Sequence, residues 1–328
     1  TEPRMNRNRS SGSFRSPAGS IQLHTLAVPM TVIFGVILLS LDPPPPTFPA
    51  QAILAPVPSI SYQFHNHIHG LGYDSKSQRL FVATHYGIFI WTEGKLFQLG
   101  ENRDDFMGFS LHPSDPNIVY TSGHPRSGGN MGVMKSEDGG VTFKRIFQGL
   151  QGETVDFHSM TISSANPKIV YGWFQERLYR SKDEGKSWQV ALGRGLSKQG
   201  FCFGAPCLSP DSKNEGTVYA GTSGGLLVSH DFGESWMTVN ANLGAVAGIG
   251  VEPSNSRRLF AFTQKLGLAS SRDGGKSWQA KNSGVRLSQQ EFVFAFAFDR
   301  KNSKHLFAAT PEQIFRSADG GENWEKIL

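Results

Sequence analysis

Cysteine is scarce, with two in 328 residues. That excludes a multi-disulfide scaffold and a four-thiolate zinc site. Charge is sparse at 18%, and its signs nearly balance, with 32 Lys and Arg against 27 Asp and Glu. Setting aside the four arginines and two acids before Ile53 leaves 28 against 25, well mixed along the chain. Such a chain offers no electrostatic footprint for nucleic acid. A long apolar run is missing too. Leu26 to Leu41 is 16 residues without a charge, short of the about 20 that a spanning helix needs, and it contains Pro29 and Gly35. Turn formers are plentiful, with 37 glycines and 18 prolines. They follow no Gly-X-Y period, so the chain is not collagen-like. With 38% apolar and 11% aromatic residues it is expected to fold. Length alone suggests two domains of roughly 150 residues.

Residues 1–52 read as a targeting segment. Thr1 to Arg4 precede Met5, and Arg7, Arg9 and Arg15 then form a positive stretch without acids. One reading is a secretory signal peptide ending at the small-x-small site Ala50-Gln51-Ala52. The other is an uncleaved membrane anchor with Pro43 to Pro46 as a stiff spacer. Either places residues 53–328 outside the cytoplasm (secreted, periplasmic, lumenal or anchored), with membrane contact only through the N-terminal segment.

One motif recurs five times. Ser136 to Phe143 reads SEDGGVTF, Ser181 to Trp188 SKDEGKSW, Ser229 to Trp236 SHDFGESW, Ser271 to Trp278 SRDGGKSW, and Ser317 to Trp324 SADGGENW. The aspartates Asp138, Asp183, Asp231, Asp273 and Asp319 are spaced by 45, 48, 42 and 46 residues. The chemistry is that of a hairpin turn: the carboxylate accepts backbone N–H groups, glycine supplies a positive φ, and the aromatic packs beneath. These aspartates therefore staple loops and do no catalysis. Short apolar strands and a Pro/Ser/Asp/Asn turn precede each motif, so each unit is four antiparallel strands in about 45 residues, a propeller blade. His67 to Asp74, Leu80 to Thr84, Gly87 to Trp91 and Lys95 to Leu99 form a sixth unit whose turn, Thr92-Glu93-Gly94, lacks the aspartate. The expected fold is all-β, a single six-bladed β-propeller over 53–328, and the two-domain expectation gives way because repeats grow by addition. The first unit opens on an inner strand and the last closes on an outer one, so no strand exchange is expected to close the ring unless Ser59 to Phe64 joins the last blade.

At these residues the chain resembles the Asp-box, or BNR-repeat, propellers, a group that includes sialidases, sortilin-type receptors, xyloglucan-degrading enzymes and photosystem II assembly factors. Its opening His67-Ile68-His69-Gly70-Leu71 is similar to that of short bacterial single-propeller proteins labelled glycosyl hydrolases. The resemblance spans the propeller. It implies the fold and says little about activity, because the boxes are structural.

Aligning the inner strands yields a column of small residues, Gly70, Gly108, Ser159, Ala205, Gly248 and Ala295. The position before reads His69, Met107, His158, Gly204, Ala247 and Phe294. Two positions before that come His67, Asp105, Asp156, Cys202, Ala245 and Phe292. In a four-stranded blade the start of strand one and the end of strand two share a rim, and the stapled turns occupy the other. His85 and His124 end second strands, so His65, His67, His69, His85, His124 and His158 are all expected on the rim opposite the turns.

Candidate metal ligands are His67, His69, His158, His85 and His124, joined by Asp105 or Met107. Two imidazoles two residues apart on a strand lie about 6.6 Å apart on one side and suit a divalent transition metal, zinc or copper. Strict alternation puts His85 on the wrong side unless its strand has already ended. The alternative to a metal is a hydrogen-bonded polar plug. Candidate catalytic acids are Asp105 and Asp156, for a glycoside hydrolase with two carboxyl groups about 5–5.5 Å apart if retaining or about 6.5–9.5 Å if inverting. A sialidase needs an arginine trio and an early Arg-Ile-Pro motif. Only Arg103 and Arg126 are near and the motif is absent. Ser127-Gly128-Gly129-Asn130 lengthens a loop that reaches over the rim or simply decorates the surface. Cys202 and Cys207 are either a local disulfide or buried thiols. The favoured function is a monomeric, extracytoplasmic binding or assembly module for a protein or glycan ligand. The rival is a sialidase-like or other exo-glycosidase on the same face.

Overall fold

The computed structural model describes residues 54–56 and 68–328. The expected targeting segment, the segment Ser59 to Phe64, His65 and the candidate ligand His67 lie outside the described residues. Among the described residues the chain is strands and turns, apart from one 3-10 turn at Ala241–Leu243, and no helix is long and apolar enough to cross a membrane.

Six antiparallel sheets, each drawn from consecutive strands, form the ring of a six-bladed β-propeller. Their inner strands are Ile68–Asp74, Asp105–Leu111, Ser159–Ile162, Cys207–Pro210, Val246–Val251 and Ala295–Phe298. Six apolar clusters hold them, one at each junction between neighbouring blades, including the closing one: Leu80, Val82 and Trp91 of blade one pack on Phe294, Phe307 and Ile314 of blade six. Alternate residues of a strand serve different junctions. In Arg79–Thr84, Leu80 and Val82 face blade six, while Phe81 and Ala83 face blade two. Both faces of each sheet are therefore buried, which is why second strands such as Arg79–Thr84, Leu259–Thr263 and Leu306–Ala309 read as largely apolar runs. Blade six is built from its own four strands, and Leu54–Pro56 adds a fifth strand to blade one beside Lys95–Leu99.

The five repeated turns are built alike. The serine hydroxyl, at positions 136, 181, 229, 271 and 317, accepts the amide of the fifth motif residue at 2.8 Å every time. Those residues are Gly140, Gly185, Gly233, Gly275 and Gly321, with φ between 81° and 92°, a conformation that resists a side chain. The aspartate Oδ1 accepts the amide of the residue four on, and Oδ2 binds that residue's side chain. In addition, the amide of Gly139, Glu184, Phe232, Gly274 or Gly320 donates to the turn between strands one and two of its blade. The staples thus lie on the rim where inner strands end. In blade one, Glu93 and Gly94 with φ of 50° and 72° make a two-residue hairpin without an aspartate.

The small inner column is confirmed in five blades, with Gly70, Gly108, Ser159, Gly248 and Ala295 opposite Ala83, Ser122, Trp173, Phe262 and Ala309. In blade four the expected Ala205 is displaced: Cys207 occupies the column, opposite Gly221. Pro210 ends this inner strand, whereas Pro113 and Pro253 stand two residues beyond theirs, so a count from the proline misses by two; an extra hairpin also precedes the strand. Cys202 and Ala205 exchange two backbone hydrogen bonds of 3.0 Å around Phe203-Gly204, and a disulfide joins Cys202 to Cys207.

Candidate functional site

His69 lies in a β-bulge. The ladder runs Ile68↔Thr84 and then Gly70↔Ala83, which leaves His69 without a partner residue. Met107 and Ala247 are bulged in the same way in blades two and five. A bulge adds a residue and re-aims its side chain. Here it also removes the alternation problem at His85. The second strand ends at Thr84, opposite Ile68, so His85 lies in the following turn and reaches the rim, where it meets Asp105.

The candidates assemble as two triads, each a carboxylate between two imidazoles. In the first, Asp105 Oδ2 is 2.8 Å from His85 Nδ1, and Asp105 Oδ1 is 3.1 Å from His69 Nδ1. His69 Nδ1 is also 3.2 Å from the carbonyl oxygen of Phe106, and the two imidazole rings meet edge to face with centroids 4.3 Å apart. Burial, the largest influence, drives the His69 pKa below its ordinary value, against the raising effect of Asp105. Burial alone would raise the Asp105 carboxyl, but hydrogen bonds and charge from His69 and His85 outweigh it and hold the pKa low.

In the second triad, Asp156 Oδ2 is 2.7 Å from His158 Nε2 and 3.1 Å from His124 Nε2. The Nδ1 atoms of both rings meet backbone carbonyls at 3.0 Å, His158 on Phe203 and His124 on Gly129. The extended blade-two loop therefore does bend back over the rim, and Arg126 in that loop donates its amide to Asp104. The bond to Asp156 raises the His158 pKa, burial opposing it. Phe203 links the triads: its carbonyl takes His158, and its ring packs edge to face on His69 at 4.5 Å.

The expected sharing of one ion by His67 and His69 involves a residue outside the described ones; among the described residues His69 groups with His85 on Asp105, and His158 with His124 on Asp156. Arg103 is committed to the carbonyls of Gly100 and Asn102, not to an arginine clamp. Inward from the triads runs an axial cavity of about 210 Å³, lined by all six blades and including His69, Met107 and His158. Sequence reasoning missed a groove of about 720 Å³ lined by Phe201, Phe262, Gln264, Asn282, Gln290 and Phe292 among others. Its inner-strand starts and second-strand ends place it on the triad rim. The apolar entries at Ala245, Ala247 and Phe292 in the blade alignment were its only trace.

No family model and no curated protein matches the sequence. Solved structures share the fold. A GH74 xyloglucanase from Xanthomonas campestris aligns at TM-score 0.55 and 18% identity, over 80% of this chain and 45% of that one. The U3-55K structure aligns at TM-score 0.53 and 12% identity, over 85% and 84%. A chain of a nidogen/laminin complex aligns at TM-score 0.52 and 12% identity, over 73% and 88%. This chain therefore spans less than half of the xyloglucanase, and at such identities the likeness is one of fold.

Proposed function

We propose that this propeller is a binding or assembly module of the Asp-box class, working outside the cytoplasm, whose triad-bearing rim takes a protein or glycan partner. The observation that carries the reading is the pairing, on one rim, of the His/Asp triads with a groove of about 720 Å³. Phe201 and Phe292 stand in that groove with ring centroids 5.3 Å apart, beside the amides of Gln264, Asn282 and Gln290. Aromatic surface with a few polar donors and acceptors is what peptide strands and sugar rings both bind. The Cys202–Cys207 disulfide suits an oxidising compartment.

A glycoside hydrolase is the second reading, and the carboxylates favour it only weakly. A general acid needs a raised pKa, whereas that of Asp105 is lowered. Each aspartate is also held by two histidines instead of standing open to a substrate. The test is a glycan and peptide binding screen together with a glycosidase screen. The expected result is a bound ligand without turnover, its affinity reduced in Phe201→Ala and Phe292→Ala. Hydrolysis abolished by Asp105→Asn or Asp156→Asn would reverse the choice.

A further inference from the structure

We propose that His124, Asp156 and His158 bind one divalent transition-metal ion, zinc or copper(II). The argument turns on where each ring carries its hydrogen. His124 Nδ1 and His158 Nδ1 each lie 3.0 Å from a backbone carbonyl, of Gly129 and Phe203 respectively. A carbonyl only accepts, so each Nδ1 bears the hydrogen, and a neutral imidazole then carries its lone pair on Nε2. Both Nε2 atoms face the same oxygen, Asp156 Oδ2, at 3.1 and 2.7 Å, and an ionised carboxylate likewise only accepts. With both rings neutral, three lone-pair-bearing atoms converge on one point. One proton on His158 Nε2 would satisfy the 2.7 Å contact with Asp156 but leave His124 Nε2 facing the same oxygen at 3.1 Å with no hydrogen between them. One metal cation resolves it with both rings neutral.

Further features fit the ion. An Nδ1–H bonded to a backbone carbonyl is the outer-shell arrangement that orients metal-binding histidines. Asp156 is 4% exposed, and its Oδ1 is buried with no hydrogen-bond partner among the described residues, which leaves a second oxygen for the ion. The three ligand atoms lie within 4.8 Å of one another. Bonds of about 2.0–2.1 Å in a tetrahedron put ligands ~3.3 Å apart, so the 3.1 Å and 2.7 Å contacts must open by about 0.2 and 0.6 Å to admit the ion. The histidine side chains, 40% and 35% exposed, have room for that movement. Two imidazoles and one carboxylate leave a fourth position open to an exogenous ligand, and imidazole suits both zinc and copper.

The first triad is different. His69 Nδ1 has the Phe106 carbonyl and Asp105 to donate to, and His85 Nδ1 has Asp105. A hydrogen on each Nδ1 can therefore lie between imidazole and carboxylate there, although His69 Nε2 and Asp105 Oδ1 are also buried without a hydrogen-bond partner among the described residues.

The test is calorimetric titration of chelator-stripped, tag-free protein with zinc chloride and with copper(II) chloride. The expected result is one ion per chain. Binding should be weakened in His124→Ala and in His158→Ala by more than the about 10–100-fold that loss of an outer-shell partner costs, and unchanged in His85→Ala. X-ray absorption on the bound ion should show two imidazole nitrogens at about 2.0 Å. Wild-type protein that binds neither ion, binding that survives both histidine substitutions, or binding lost only in His85→Ala would overturn the proposal.

Discussion

The carbonyl oxygen of Phe203 accepts a hydrogen bond from His158 Nδ1 at 3.0 Å across 45 residues of sequence. Phe203 makes this contact from a left-handed conformation, φ 53°, with Gly204 beside it at φ 85°. Two successive positive φ values belong to a tight hairpin corner that Asn and Gly usually fill. A phenylalanine there is held by what surrounds it: the disulfide that closes the loop, and its ring packed on His69 and Phe294.

Removal of the disulfide should loosen this corner. Cys202→Ser with Cys207→Ser is expected to lower stability by about 2 kcal/mol, the loop-closure value for so short a ring. It should also weaken the proposed zinc affinity by about 10–100-fold, as loss of an outer-shell partner does. Denaturant melts and zinc titration of the double variant check both. Unchanged affinity would mean that the Phe203 carbonyl does not orient His158.

The inner column should tolerate no side chain where neighbouring backbones meet. A Cβ on Gly108 would come within 2.3 Å of the Phe157 carbonyl oxygen, and one on Gly248 within 2.6 Å of that of Val293. Gly108→Ala and Gly248→Ala are each expected to cost about 1–3 kcal/mol, the usual penalty for overpacking. Gly128→Ala, with nothing within 4 Å and only its φ of 87° to strain it, should cost less. Equilibrium unfolding of the three variants checks the order.

The stapled turns should make stability acid-sensitive. Burial nudges the Asp231 carboxyl upward, but the hydroxyl and amide of Ser235 and the hydroxyl of Ser229 bring it to about 2. Asn323 holds Asp319 at about 2 by its amide and side chain. A folded-state pKa below the unfolded value of about 3.9 contributes stability above that value, and the contribution is lost as pH falls toward 2. The melting temperature should therefore drop between pH 4 and 2, and Asp231→Asn should drop less steeply while starting lower. These turns are largely exposed, so each contribution is small.

The ring was legible because the staple repeats at a nearly constant interval, and because strands buried on both faces leave largely apolar runs. The triad rim was legible from topology alone, since strand starts and alternate strand ends must share an edge. Pairing was not. The bulge at His69 shifts the register by one residue and carries His85 to Asp105, and no composition signal marks a bulge. In blade four, Pro210 ends the inner strand, whereas Pro113 and Pro253 stand two residues beyond theirs, so lining up the prolines lands on Ala205 where Cys207 belongs. The choice of His124 for Asp156 depends on a loop that folds back through Gly129, a contact no spacing rule encodes.

Diffraction from crystals of tag-free protein grown with zinc, measured on either side of the zinc absorption edge, tests the central claim most directly. The account expects one anomalous peak bounded by His124 Nε2, His158 Nε2 and Asp156, on the rim opposite the stapled turns. No peak there, with the three side chains still closed on one another, or a peak only among groups on the stapled rim, would contradict it.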